Sequence, residues 1–257
     1  MSYEAIEVEY PCSGIAILTL NRPERRNALA IAMMRSLHRA IGDLETDDST
    51  RVVIVRGAGP VFCAGLDLSE ASDRALVRES AECVARTLHC LRYSTLVTIA
   101  AVNGGAYAGG AGVVAACDMA VGATDIQIGF PEARRGLLPA LISDVLRTKI
   151  REGDLAELFL VGAPIGAVRA QQIGLLQRIV EPARVVDEAL EMGRGILAGG
   201  PQTIRDTKTL LHHAYGQTHG ETHSIEEHLK ARFSEEATEG LQAFLDKRPP
   251  NWLPQEK

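Results

Sequence analysis

The chain has 257 residues, of which 46% are hydrophobic and 23% charged, enough for one large globular domain or a domain with an appendage. Its net charge of −6 comes with no basic stripe and no aromatic-interleaved Arg/Lys run, which argues against a nucleic-acid partner. The opening MSYEAIEVEY holds acids and no apolar core of signal-peptide length, and the odd set Cys12, Cys63, Cys83, Cys90 and Cys117 forms no C-x-x-C pair. Free, buried thiols in a reducing cytoplasm are therefore expected.

Taken in order, Ile6 to Tyr10 and Gly14 to Asn21 read as a hairpin around Pro11-Cys12-Ser13-Gly14. A helix is predicted from about Ala28 to Glu45, with Met34, Leu37, Ile41 and Leu44 on one face. Arg51 to Arg56 is a buried strand closed by Gly57-Ala58-Gly59-Pro60. A small-residue loop, Phe62 to Leu68, precedes a long amphipathic helix of about Ser69 to Tyr93. Loops of that kind, at the C-terminal ends of strands, hold ligands in open α/β proteins.

The run Leu96 to Val102 is a further buried strand, stopped by Asn103-Gly104-Gly105. A second glycine cluster, Gly109, Gly110 and Gly112, then opens a helix. Bare N–H groups at such a turn, backed by the helix dipole, suit an anion or a developing oxyanion. Glu132 follows the strand-like Ile126 to Phe130 and Pro131, so a donor cluster and one carboxylate could act together on a polarised carbonyl.

Three other readings compete for this stretch. The charge-free run Leu96 to Cys117 is long enough for a membrane span, but its glycines and modest bulk argue against one. Gly110-x-Gly112-x-x-Ala115 matches a dinucleotide fingerprint, yet it stands too far beyond the strand. The glycines could also serve only close backbone packing.

After a loop from Ala133 to Pro139, helices are predicted over Ala140 to Lys149, Gly153 to Val161 and Ala167 to Ile173, with a last strand at Leu175 to Val180. The remainder is helical: Ala183 to Leu197, Pro201 to Tyr215, and Glu221 to Lys247 with a break near Ser234. Gly199-Gly200-Pro201 divides a core, 1–199, from a helical region, 200–257. His212, His213, His219, His223 and His228 read as a solvated polar face, because the Glu between His219 and His223 is misplaced for H-E-x-x-H. No metal site is expected.

Six segments in order resemble the enoyl-CoA hydratase/isomerase, or crotonase, family. They are Leu20-Asn-Arg-Pro-Glu-Arg-Arg-Asn-Ala-Leu29, Phe62-Cys-Ala-Gly-Leu-Asp-Leu68, Ala101-Val-Asn-Gly104 with Ala108-Gly-Gly-Ala-Gly112, Ala115-Ala-Cys-Asp118, Gly129-Phe-Pro-Glu132 and Gln172-Ile-Gly-Leu175. The resemblance implies an α/β fold, a spiral of ββα units with a C-terminal helical region that forms trimers or dimers of trimers. It implies a cytoplasmic enzyme acting on an acyl-CoA thioester through an enolate, with no membrane association and no cofactor, since coenzyme A is part of the substrate.

Carried over by position, the oxyanion-hole N–H groups are those of Leu66 and Gly109. CoA and substrate contacts fall on Arg25, Arg26, Ala28, Ala64, Gly65, Asp67 and Leu68, and on Tyr107, Gly110, Gly112, Pro131 and Arg135. Arg134 and Arg135 could pair a substrate carboxylate or CoA phosphates, and could equally be surface charge. Asp67 and Asp118 also fit caps or turns.

Family hydratases usually carry two catalytic glutamates. Glu132 matches the second, whereas Gly112 stands where the first would be. Two chemistries remain natural with one carboxylate: moving a proton between C2 and C4 of an enoyl-CoA, or handling both water and proton. The loop Arg135-Gly-Leu-Leu-Pro-Ala-Leu-Ile-Ser143 and Gly112 resemble single-glutamate members related to methylglutaconyl-CoA hydratases. That tilts the expectation toward a hydratase of a short, branched or carboxylated enoyl-CoA. An isomerase and a non-catalytic acyl-CoA binder are the alternatives.

Overall fold

The computed structural model describes residues 3–214 and 234–253. The chain divides into two compact units, Met1–Glu191 and Met192–Lys257. The first is built on two sheets. Strands β1 (Ile6–Cys12), β2 (Ile15–Leu20), β3 (Val52–Gly57), β5 (Val97–Val102), β7 (Met119–Ala123) and β10 (Arg178–Val180) form the larger, in that order. Strands β4 (Val61–Cys63), β6 (Gly105–Tyr107), β8 (Gln127–Gly129) and β9 (Ile165–Gly166) form the smaller. Only β1 with β2 and β8 with β9 pair antiparallel.

The apolar runs explain the larger sheet. Every residue of β2 and β5 is buried, as parallel strands covered on both faces require. Each Ile, Leu or Val so buried contributes about 1.5–3 kcal/mol, so these strands hold much of the core's stability. Helix α1 (Ile31–Glu45) buries Met34, Leu37, Ile41 and Leu44, the face its periodicity predicts. It starts later than expected, because Ala28 to Ala30 stay extended and Leu29 forms a parallel bridge with Leu66.

The core repeats one unit: a long strand, a corner, a short strand of the second sheet, and a helix. It occurs as β3–β4 with α2 (Leu68–Ser72) and α3 (Val77–Tyr93), as β5–β6 with α4 (Gly109–Ala116), and as β7–β8 with α5 (Ala140–Leu146). The single helix predicted over Ser69 to Tyr93 is broken at Asp73, whose Oδ1 accepts from Ala75 N at 2.9 Å in a turn between the two helices. Helices α6 (Glu152–Ala156), α7 (Ala167–Gln172) and α8 (Val185–Leu197) follow, with a π-helical turn at Glu157–Val161. The last expected strand shortens to β10.

In the second unit, α9 (Pro201–Ala214) starts under the carboxylate of Glu236 from α10 (Glu235–Asp246). Glu236 accepts from Gln202 N at 2.6 Å and Thr203 N at 2.8 Å, satisfying N–H groups that a helix start leaves open. The expected boundary at 199/200 lies between α8 and α9. His219, His223 and His228, and the helix expected before Ser234, lie outside the described residues. No helix among the described residues is long and apolar enough to cross a membrane.

One buried side chain pins the corner that precedes the second sheet. Asn27 is fully buried in the left-handed region, at φ 54°. Its Oδ1 accepts from Arg22 N at 2.9 Å, and its Nδ2 donates to Ala58 O and Val61 O, both at 2.8 Å. Asn tolerates this backbone where alanine does not. Asn27→Ala should therefore lose about 3 kcal/mol of stability, read from urea denaturation, through three unpaired backbone groups and added strain. A loss below about 1 kcal/mol would show that water replaces the amide.

Candidate active site

Strands β4, β6 and β8 are parallel neighbours in the second sheet, and the candidate residues leave their C-terminal ends. Leu66 follows β4, Gly109 follows β6 and Glu132 follows β8. Neighbouring strands lie about 4.8 Å apart, so the topology alone gathers these three positions.

The donors are set by backbone geometry. Around the Leu29–Leu66 bridge, Leu29 N donates to Gly65 O at 2.7 Å and Asp67 N to Leu29 O at 3.2 Å. The N–H of Leu66 itself faces away from that pairing. Gly109 is the first residue of α4, and its N–H has no carbonyl partner. Before it, Ala108 is held at φ 49°, ψ −120°, the corner geometry of a type II′ turn that glycine normally occupies. This strain of about 1–3 kcal/mol sets the peptide plane that carries the Gly109 N–H. Ala108 N is anchored on Gly129 O at 2.9 Å.

The two loops touch because glycine leaves room. A Cβ on Gly65 would stand 2.9 Å from Tyr107 O and 3.6 Å from Gly109 N. A Cβ on Gly110 would strike the Cys63 carbonyl. Gly65, the neighbour of Leu66 in the chain, thus packs against the start of α4 at Gly109.

Glu132 is half-buried. Its Oε2 is shut from solvent and has no hydrogen-bond partner among the described residues. Its backbone is fixed by Pro131 before it and by its own carbonyl, which accepts from Arg135 N at 2.9 Å and Leu137 N at 3.0 Å. Burial raises its pKa above the ordinary carboxylate value. Its own backbone N–H, and after that Arg135, partly oppose the shift. A carboxylate held this way is a better proton acceptor than a solvated one, and can both take and return a proton.

The other predicted positions separate by role. Arg25, Arg26 and Ala28 line the loop before α1, where Arg26 is exposed at φ 52° and the Ala28 carbonyl accepts from Arg22 Nη1 at 2.9 Å. Ala64, Tyr107 and Arg26 share a cleft of about 270 Å³ with Asn103 and Gln127. Leu68 is 67% exposed beside it in sequence. Asp67 caps α2, accepting from Ser69 N at 3.1 Å and pairing with Arg22 at 3.0 Å, so its carboxylate is already engaged. Asp118 is structural too, accepting from Thr98 N at 2.8 Å. Arg135 is exposed, and Arg134 donates to Val161 O at 2.8 Å.

Gly110 and Gly112 face the interior rather than the cleft. A Cβ on Gly112 would lie 2.6 Å from Ile142 Cγ2 and 3.3 Å from Leu88 Cδ2. The place a second glutamate would need is filled by apolar side chains. Sequence reasoning missed Asn27 and Asn103 as loop anchors; Asn103 donates to Gly59 O at 2.7 Å. Their signal was an Asn beside each glycine- or proline-rich corner. Among the described residues no group of His, Cys, Asp or Glu could hold a metal ion.

Residues 12–255 match the family model described as enoyl-CoA hydratase/isomerase. The chain is 33% identical over 261 residues to a mevalonyl-coenzyme A hydratase of Aspergillus fumigatus, covering 96% of this chain and 94% of that protein. It is 32% identical over 244 residues to an enoyl-CoA hydratase of Mycobacterium tuberculosis, covering 92% of each. The crystal structure of an enoyl-CoA hydratase from Bacillus anthracis superposes with a TM-score of 0.91 at 28% identity, over 98% of this chain and all of that one.

Two predictions follow from the site's packing and charge. Gly112→Glu should cost more than about 3 kcal/mol, from overpacking and a buried charge, and Ile142→Ala should recover at least about 1 kcal/mol of it in a double-mutant cycle. Additive losses would place Ile142 elsewhere. For Glu132, a raised folded pKa means stability is lost as pH rises from the unfolded to the folded pKa. Glu132→Gln should thus unfold at higher urea than the parent at pH 8, with the gap closing toward pH 4; a parent more stable at pH 8 contradicts the raised pKa.

Proposed function

The chain belongs to the enoyl-CoA hydratase/isomerase family, and on that premise we propose that it is a hydratase of a short, branched enoyl-CoA using Glu132 alone. The family is enzymatic and the α/β crotonase-like architecture is the one the resemblance implied. The observation that supports the finer reading is the half-buried Glu132, whose Oε2 has no partner among the described residues, after the strand next to the one that leads to Gly109.

In this reading the thioester oxygen sits between the N–H groups of Leu66 and Gly109. Glu132 removes a proton from water as the water oxygen bonds to C3. The electron pair of C2=C3 moves onto the thioester oxygen as an enolate. Glu132, now protonated, returns that proton to C2. One carboxylate suffices because the proton it gains is the proton it delivers. Each oxyanion donor contributes roughly 3–4 kcal/mol in comparable acyl chemistry. Arg25, Arg26 and the Ala64–Leu68 loop hold the CoA moiety.

One point favours this over an isomerase: the Aspergillus fumigatus relative is named as a hydratase, of mevalonyl-coenzyme A. The niche at Gly112, filled by Ile142 and Leu88, supports a one-carboxylate site under either chemistry. We extend the proposal to self-association as a trimer or dimer of trimers. Leu138 and Leu160 stand 86% and 79% exposed near the site, apolar surface that a second copy would cover.

The test is incubation with short 2-enoyl- and 3-enoyl-CoAs in oxygen-18 water, followed by mass. Oxygen incorporation is expected, and Glu132→Gln should lower its rate by roughly 10²–10⁴-fold. A moved double bond without oxygen establishes the isomerase instead. More than a tenth of the activity surviving in Glu132→Gln assigns the chemistry to another residue.

A further inference from the structure

Helices α1 and α3 pack side by side, and along them lies a cavity of about 500 Å³, open to solvent and edged by the exposed Arg35, Arg39 and Arg86, that shares no residue with the candidate active site. Arg35, Ser36, His38 and Arg39 of α1, Arg86 of α3 and Glu4 line it. Its charge is uneven for a chain of net charge −6. Arg35 is neutralised by Glu79 at 2.7 Å. Arg39 and Arg86 make no ion pair among the described residues; Arg39 instead donates to the fully buried Ser36 Oγ at 3.2 Å. Two positive charges therefore face one cavity uncompensated, apart from Glu4.

The wall between them does not add charge. His38 Nε2 lies 2.9 Å from Thr87 Oγ1, and the Thr87 hydroxyl spends its one proton on Cys83 O at 2.8 Å. Nε2 must then be the imidazole's donor, which leaves Nδ1 as an acceptor. Burial and the Arg86 charge push the His38 pKa down to about 4, so the ring is neutral at physiological pH and feels the positive field of Arg86.

We propose that this cavity is a second ligand site, for a hydroxylated small molecule carrying a doubly charged phosphate group. Guanidinium forks match phosphate oxygens two at a time, and Arg39 and Arg86, which outnumber the one lining carboxylate of Glu4, can share one phosphate group between them. Glu4 and neutral His38 supply acceptors for hydroxyls. The volume suits a small metabolite rather than a lone ion. The site stands whether the enzyme is a hydratase or an isomerase.

Ribose 5-phosphate tests it, with citrate as a carboxylate polyanion of comparable charge. Titration calorimetry on the intact protein is expected to give one saturable site per chain, unaffected by saturating CoA. Arg86→Gln and Arg39→Gln should each weaken it at least tenfold, and Arg26→Gln should leave it unchanged. Circular dichroism and activity without phosphate check that the Arg86→Gln fold is intact. Displacement by CoA, or loss in Arg26→Gln, would show the ligand in the CoA cleft and overturn the proposal. So would equal binding of citrate, and so would no binding at millimolar ribose 5-phosphate.

Discussion

The arrangement depends on backbone meeting backbone where a side chain would ordinarily stand. The chain leaving β4 runs against the start of α4, with Gly65 facing the Tyr107 carbonyl and Gly110 facing that of Cys63. Protein interiors are packed closely enough that one added methyl must move something. Here the neighbours are carbonyls of the second sheet, which cannot swing aside as a side chain end can. A Cβ at Gly110 would push α4 from β4 and separate the amides of Leu66 and Gly109. The strained Ala108 is tolerated for the same reason: the backbone on both sides is already fixed by Gly129 and by α4.

That contact also creates the electrostatic setting. Backbone donors and an acceptor without partners among the described residues follow adjacent strands of the second sheet. Each is costly alone, since a buried polar atom without a hydrogen bond forfeits its hydration. Together they are complementary to a ligand that has an acceptor for the donors and a proton for the carboxylate. The free site is therefore destabilised in the pattern that a thioester and water would relieve. The surrounding charges are restrained: Asp67 is consumed as a cap and Arg134 is turned onto a carbonyl. Only Arg135 reaches Glu132 electrostatically, and it does not overcome burial.

Much of the larger sheet was legible in the sequence because its strands are long apolar runs, and α1 because its apolar positions recur on one face. The glycine cluster and Glu132 were legible by chemistry, as a donor turn and a lone acid after a proline. Of the second sheet, β8 was legible as the strand-like run Ile126 to Phe130, but β4 and β6 were not. These span three residues each, too few for a period to emerge, and exist through pairing with partners distant in sequence. β7 (Met-Ala-Val-Gly-Ala) was hidden by its small residues. The break in the helix at Asp73 reflects a local side-chain turn that competes with an otherwise continuous pattern. Asn27 was missed because its role comes from where the corner at Ala58 to Val61 folds back, and no spacing reports that.

Gly112 joins these threads. Read as sequence, it marks only an acid that is lacking. In the structure it is a contact: α4 approaches α3 and α5 closely enough there for Ile142 and Leu88 to fill the space. A glutamate could not be restored without emptying that space, and the void left by trimming Ile142 would itself cost stability. The proposed one-carboxylate chemistry would thus be held in place by core packing, not by the identity of a single residue. The same packing carries α5, and with it the loop after Glu132, toward α4. The wall that excludes a second acid and the loop that positions the first are therefore one continuous segment, Glu132 to Leu146. Changes in that segment would alter catalytic geometry and the apolar environment of the carboxylate together, which is why neither can be tuned in isolation.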